Sequence, residues 1–196
     1  MKNILYTIIL SLLFSFSMFA DRKAANNAYA ADPLLEDVLM NVMVLAEQGD
    51  AESQYNLALM YERGDIVTQD YKEAVKWYRL AAEQEYVFAQ FNLGLMYKYG
   101  KGVTRDYKEA VRLYLLAAEQ GNARAQQNLG VMYYEGLGVI KNIVISYMWL
   151  NIAASKGEKN AKNNLGVAKR NMTSEQIAKA QELARECIEK NYKDCG

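Results

Sequence analysis

Two cysteines near the C-terminus, Cys187 and Cys195, are the side chains of this sequence best suited to covalent chemistry. In an oxidising compartment they could pair as a disulfide. On one continuous helix, eight residues hold two Cα atoms about 12 Å apart, whereas a bridge needs about 7 Å or less. An intramolecular bridge therefore requires the chain to turn back near Asn191, a residue type that terminates helices well. Free thiols, or a bridge between molecules, are the alternative readings. Little else in the chain is reactive. Histidine is absent, which removes the commonest general base, the usual catalytic triads and most transition-metal sites. Two cysteines outside any CxxC pair give zinc too few good ligands, so no metal or cofactor is expected. Carboxylates such as Glu135 and Asp106 could be proposed as an acid and base pair, but nothing in their spacing brings them together.

The glycines do not form a phosphate cradle, because they recur at a fixed interval. Laid against itself, the sequence repeats every 36 residues, in units 51–86, 87–122 and 123–158. The first two agree at about 21 of the 36 columns, well past coincidence. Residues 33–50 match the second half of a unit, and 159–196 open like a fourth unit before departing from the pattern. Each unit carries two segments of helical periodicity, for example Leu93, Met96 and Tyr97, then Ala110, Val111, Tyr114 and Ala117. Gly64, Gly100 and Gly136 fall just past the first helix, where a positive φ is needed. Asp70, Asp106 and Asn142 are placed to cap the second, and Asp70 with Glu73 and Asp106 with Glu109 have capping-box spacing. The alanine pairs at 81 and 82, 117 and 118, and 153 and 154 allow close helix packing. The fold class read from this pattern is all-α, a solenoid of helix-turn-helix repeats.

The Asn-Leu-Gly-x-x-Tyr run, the Gly-x-Gly-Val loop, the Asp-Tyr-x-x-Ala helix start and the Ala-Ala-x-x-Gly ending together resemble the Sel-one-like repeat family. The resemblance extends from residue 33 to about residue 190, with Ile66 and Glu85 replacing two of the loop and turn glycines in the first unit. It implies a right-handed α-solenoid whose first helices line a concave surface that binds protein or peptide partners. By column, that surface comprises Tyr55, Leu59 and Glu62, then Phe91, Leu95, Lys98 and Tyr99, then Arg124, Gln127, Val131, Tyr134 and Glu135. Aromatic rings beside a few charges suit recognition of an extended or helical peptide. Tyr55 and Phe91 could equally pack between units. Asn56, Asn92, Asn128 and Asn164 recur in four copies, and such repetition points to helix-to-helix hydrogen bonds rather than ligand contacts. A cysteine-rich branch of the family uses the same eight-residue cysteine spacing for structural disulfides, and members of it have been linked to β-lactam binding or hydrolysis. With one such pair here, the bridge carries over and the activity does not. An enzyme directed at cell-wall or β-lactam substrates is the alternative function.

The N-terminus decides the expected compartment. Lys2, an apolar run from Ile4 to Ala20 and a polar stretch ending Ala28-Tyr29-Ala30 have the order of a signal peptide over residues 1–30. Cleavage is expected after Ala30, with Ala20 the poorer choice and an uncleaved anchor the alternative. The remaining single domain, 31–196, is then periplasmic or secreted and not stably inserted in a membrane. Charge is formally balanced in the whole chain, and losing Lys2, Arg22, Lys23 and Asp21 leaves about −2. With no basic stripe, nucleic acid is not an expected partner. At the mature ends, Asp32 before Pro33 reads as a helix start, and Thr173 to Gln176 as a capping box opening a last amphipathic helix to about Lys190. The expected function is that of a non-enzymatic adaptor holding a protein or peptide.

Overall fold

The computed structural model describes residues 33–195, so the expected signal peptide, its cleavage sites and the Asp32 cap lie outside the described residues. Nine α-helices and no strands are found among them. They are α1 (Pro33–Glu47), α2 (Ala51–Arg63), α3 (Tyr71–Glu83), α4 (Val87–Tyr99), α5 (Tyr107–Glu119), α6 (Ala123–Glu135), α7 (Ile143–Ser155), α8 (Lys159–Lys169) and α9 (Ser174–Glu189). The pairs α2–α3, α4–α5 and α6–α7 pack most extensively, and each pair then stacks on the next, which makes an all-α solenoid.

Local chemistry sets the helix ends. Asp70, Asp106 and Asn142 accept backbone N–H bonds at the starts of α3, α5 and α7. The reciprocal half of the expected box is missing in α3 and α5, because Glu73 and Glu109 turn instead to Lys76 and Arg112 one turn on. Thr173 and Gln176 do form both halves at the start of α9. Gly64, Gly100 and Gly136 close the first helices with φ of 73°, 67° and 76°. Glu85 adopts φ 61° in the turn where the next unit has Gly121, so the inter-repeat turn survives the missing glycine.

Buried residues form three successive core clusters along the stack. Ala81, Ala117 and Ala153, each fully buried, let neighbouring helices approach, and Tyr78, Tyr114 and Leu150 fill the space beside them. Close approach also explains two glycines inside first helices. A Cβ on Gly94 would stand 2.6 Å from Tyr114 Cε1, and one on Gly130 would stand 2.5 Å from Leu150 Cγ.

A row of glutamines stitches the units together. Gln54, Gln90 and Gln126, all buried, donate to the carbonyls of Ala46, Ala82 and Ala118 at the end of the preceding second helix. Gln84 and Gln120 then donate to the side chains of Gln54 and Gln90 at 2.8 Å. In the third unit Lys156 takes that place and reaches the Gly121 carbonyl, at 2.7 Å.

The two ends depart from the repeat. α1 stacks on α2 as a second helix does on the next unit, but leaves Val38, Met40, Val44 and Leu45 partly in water. At the other end α9 lies on α7 rather than pairing chiefly with α8. The reason is α7 itself, apolar on nearly every side, with seven buried residues from Ser146 to Ala153, so it needs cover from more than one neighbour. Ala184 and Cys187 of α9 reach the same core as Ala117, Ala118, Trp149 and Ile152.

Cys187 and Cys195 are bonded, with Cα atoms 5.3 Å apart. The reversal they require occurs through positive φ at Asn191, Tyr192 and Asp194, with the Tyr192 N–H donating back to the Cys187 carbonyl at 2.8 Å. It seats the Tyr192 ring 4.0 Å below Lys156 Nζ and brings Lys193 within 3.6 Å of Glu119.

Candidate binding face

First helices of successive units touch through their side chains. Tyr55 of α2 lies 6.0 Å from Phe88 of α4 and also meets Tyr86 and Tyr78, forming a tilted aromatic cluster at the first junction. Across the next junction Arg124 of α6 lies over Phe91 of α4 at 5.6 Å, and Lys98 Nζ donates to Asn128 Oδ1 at 3.1 Å. Further along, Asn171 donates to the Tyr134 hydroxyl at 3.0 Å. These contacts make the exposed sides of α2, α4 and α6 one surface.

The residues expected there are not equally available. Tyr99 is 61% exposed, and Arg124 and Glu135 are exposed as well. Glu62, Lys98, Gln127, Val131 and Tyr134 are half-buried. Tyr55, Leu59 and Leu95 are half-buried too, and lean on the interior. Phe91 corrects its expectation as contact surface: its ring is buried at 6% exposure against Tyr114, so it forms the floor beneath Arg124. The column holding Tyr55 and Phe91 is where units interlock, and the Phe91 ring, with no hydroxyl to keep in water, turns inward. The Tyr86 and Phe88 rings, the latter 51% exposed, join this surface beyond the residues expected there, and the signal for Phe88 is the column it shares with Arg124.

Beneath this surface lies a polar row. Tyr78 donates its hydroxyl proton to Glu62 Oε2 at 2.6 Å and accepts from Asn92 Nδ2 at 3.0 Å. Asn92 thus makes the expected helix-to-helix bond, and Asn128 makes another by accepting from Lys98. Burial and the adjacent Glu62 carboxylate push the Tyr78 phenol well above its ordinary value, and burial does the same at Tyr114. Both remain proton donors throughout the physiological range. One unit after Tyr78, the Tyr114 hydroxyl is buried with no hydrogen-bond partner.

A cleft lies between α3 and α5. Its volume is about 510 Å³, with Leu93 and Leu113 in its floor and Arg79, Glu109, Arg112 and Lys193 around it. No cluster of His, Cys, Asp or Glu able to hold a metal exists among the described residues. No helix among them is long and apolar enough to cross a membrane.

The Sel1 repeat model matches residues 51–86, 87–122 and 123–158, the three hairpins of the fold. The chain belongs to the Sel1 repeat family. Solved relatives agree with that assignment. A crystal structure of a Sel1 repeat protein from Oxalobacter formigenes is 38% identical with a TM-score of 0.60, covering 65% of this chain and 96% of that one. A protective antigen present in uropathogenic Escherichia coli strains, displaying an SLR fold, is 29% identical with a TM-score of 0.61. That match covers 87% of this chain and 44% of the antigen. Among curated proteins no relative matches. Sel1 repeat proteins act generally as protein-interaction scaffolds, and this chain has their repeat in three complete copies.

Proposed function

We propose that this Sel1 repeat protein is an exported adaptor that binds a peptide or protein segment along the surface of α2, α4 and α6. One observation carries the reading: first helices of consecutive units share a surface on which Tyr99, Arg124, Lys98 and Tyr134 stand at the solvent boundary. Rings in that mixture supply contact area at low entropic cost, and cations supply directional bonds. Export is supported by the signal-like order of residues 1–30 and by the Cys187–Cys195 bond, which persists in oxidising compartments. The kinship with an antigen of pathogenic bacteria is consistent with an envelope or host-facing partner.

The test is selection of binding peptides from an unbiased library, followed by affinity measurement on three proteins. Wild type and an Arg112→Ala variant of the α3–α5 cleft should bind alike, while Tyr99→Ala with Tyr134→Ala should lose at least tenfold. Loss in the Arg112 variant alone would move the site to the cleft between α3 and α5. The mass of the exported chain checks processing, since cleavage after Ala30 leaves Ala31 as the first residue.

A further inference from the structure

The repeat supplies its own internal comparison for the unpaired Tyr114 hydroxyl. Tyr78, Glu62 and Asn92 are followed 36 residues later by Tyr114, Lys98 and Asn128. In the first set a carboxylate accepts the tyrosine proton at 2.6 Å. In the second the acid has become a lysine, and the fully buried tyrosine keeps a hydroxyl with no partner. Leaving a buried donor unsatisfied is costly, so an acceptor brought from elsewhere would gain by meeting it. Lys98 is the natural companion to such an acceptor. It forms no ion pair among the described residues, and its ammonium rests on the neutral Asn128 oxygen. Arg124, one turn before Asn128, adds an exposed positive charge on the same face.

We infer that the junction of α4, α5 and α6 is a carboxylate-binding pocket, where a ligand supplies to Lys98 and Tyr114 the carboxylate that Glu62 supplies internally to Tyr78. This deepens the adaptor reading and rests on the first-helix surface being the binding surface. An arriving carboxylate draws the lysine, with its four flexible side-chain bonds, off Asn128 and takes the position that Glu62 fills one unit earlier. Hydrogen bonds to a charged group are stronger than those between neutral groups, which favours a carboxylate over an amide here. A C-terminal carboxylate and an acidic side chain share this chemistry.

The experiment is a titration of the isotope-labelled protein, followed by amide and side-chain NMR shifts, with three probes. N-acetylalanine offers a terminal carboxylate, N-acetylglutamate α-methylamide a side-chain carboxylate, and N-acetylglutamine methylamide none. The expected result is saturable shifts at Lys98, Asn128 and Tyr114 with one or both carboxylates and not with the amide. The stronger of the two carboxylates identifies the source. Tyr114→Phe should weaken that binding about tenfold or more without loss of thermal stability. Lys98→Glu should abolish it while raising the melting temperature, because the introduced carboxylate then satisfies Tyr114 from within. Equal response to all three probes, no saturable response, or unchanged binding by Tyr114→Phe would overturn the pocket. Library-selected peptides that still depend on Tyr99 and Tyr134 would then leave the adaptor reading standing without it.

Discussion

Gly94 and Gly166 occupy the same kind of position, inside a first helix, and their surroundings give them opposite roles. Alanine in a helix gains up to about 1 kcal/mol over glycine. At Gly166 nothing lies within 4 Å of an added Cβ, so Gly166→Ala should stabilise by about that amount, seen as a higher urea midpoint at unchanged slope. At Gly94 the new methyl meets the ring of fully buried Tyr114, and overpacking costs about 1–3 kcal/mol. Gly94→Ala should therefore lose about 1 kcal/mol net in the same titration. The glycine column was legible in the sequence as a repeat feature. What each glycine faces was not, since it depends on Tyr114 arriving from the following helix and on α9 lying over α7 instead of α8.

Between elements, hydrogen bonds across the stack decide how firmly units adhere. Gln90 donates to the Ala82 carbonyl and accepts from Gln120, so it joins three helices through one buried side chain. Gln90→Leu leaves the Gln120 amide one acceptor short and the Ala82 carbonyl without its side-chain donor. A loss of about 2 kcal/mol follows, with hydrogen exchange accelerating at the α3–α4 turn before it does in α7. This column repeats as visibly as the asparagines, yet inter-helix bonds were expected only of Asn92, Asn128 and their equivalents. Periodicity identifies a structural column without saying which neighbour it meets. The C-terminal bridge is also an element-scale device. Closing a loop with a separation of 8 residues is worth about 2.5 kcal/mol in chain entropy. Cys195→Ser should cost about that much or less in thermal denaturation, and should release Tyr192 from Lys156 and Lys193 from Glu119.

Over the whole molecule, tyrosine ionisation governs behaviour in base. Tyr78 and Tyr114 have folded pKa values held above the unfolded value of 10.0, by burial first and, at Tyr78, by Glu62 next. Their contribution is complete below about pH 10, where both states are protonated, and is lost as pH rises and only the unfolded chain ionises. Stability should therefore fall above about pH 10. Phenolate absorbance should show two tyrosines titrating only together with the loss of helical circular dichroism. Early titration of all tyrosines in a still helical protein would contradict that coupling. Because the three full units pack on one another only in sequence, unfolding in base should spread from a junction rather than from one central core.

The sequence alone was enough for helix type, unit length, turn positions and caps, because these depend on interactions within a few residues: Asp70 and its N–H groups, Gly100 and its φ. It also placed the reversal near Asn191 on which the Cys187–Cys195 bond depends. Tertiary structure alone decided that Phe91 turns inward, that α9 covers α7, and that Tyr114 keeps a buried proton with no acceptor. Each of those follows from what a neighbouring unit brings into contact, and side chains some fifteen to forty residues apart meet only after the helices have stacked.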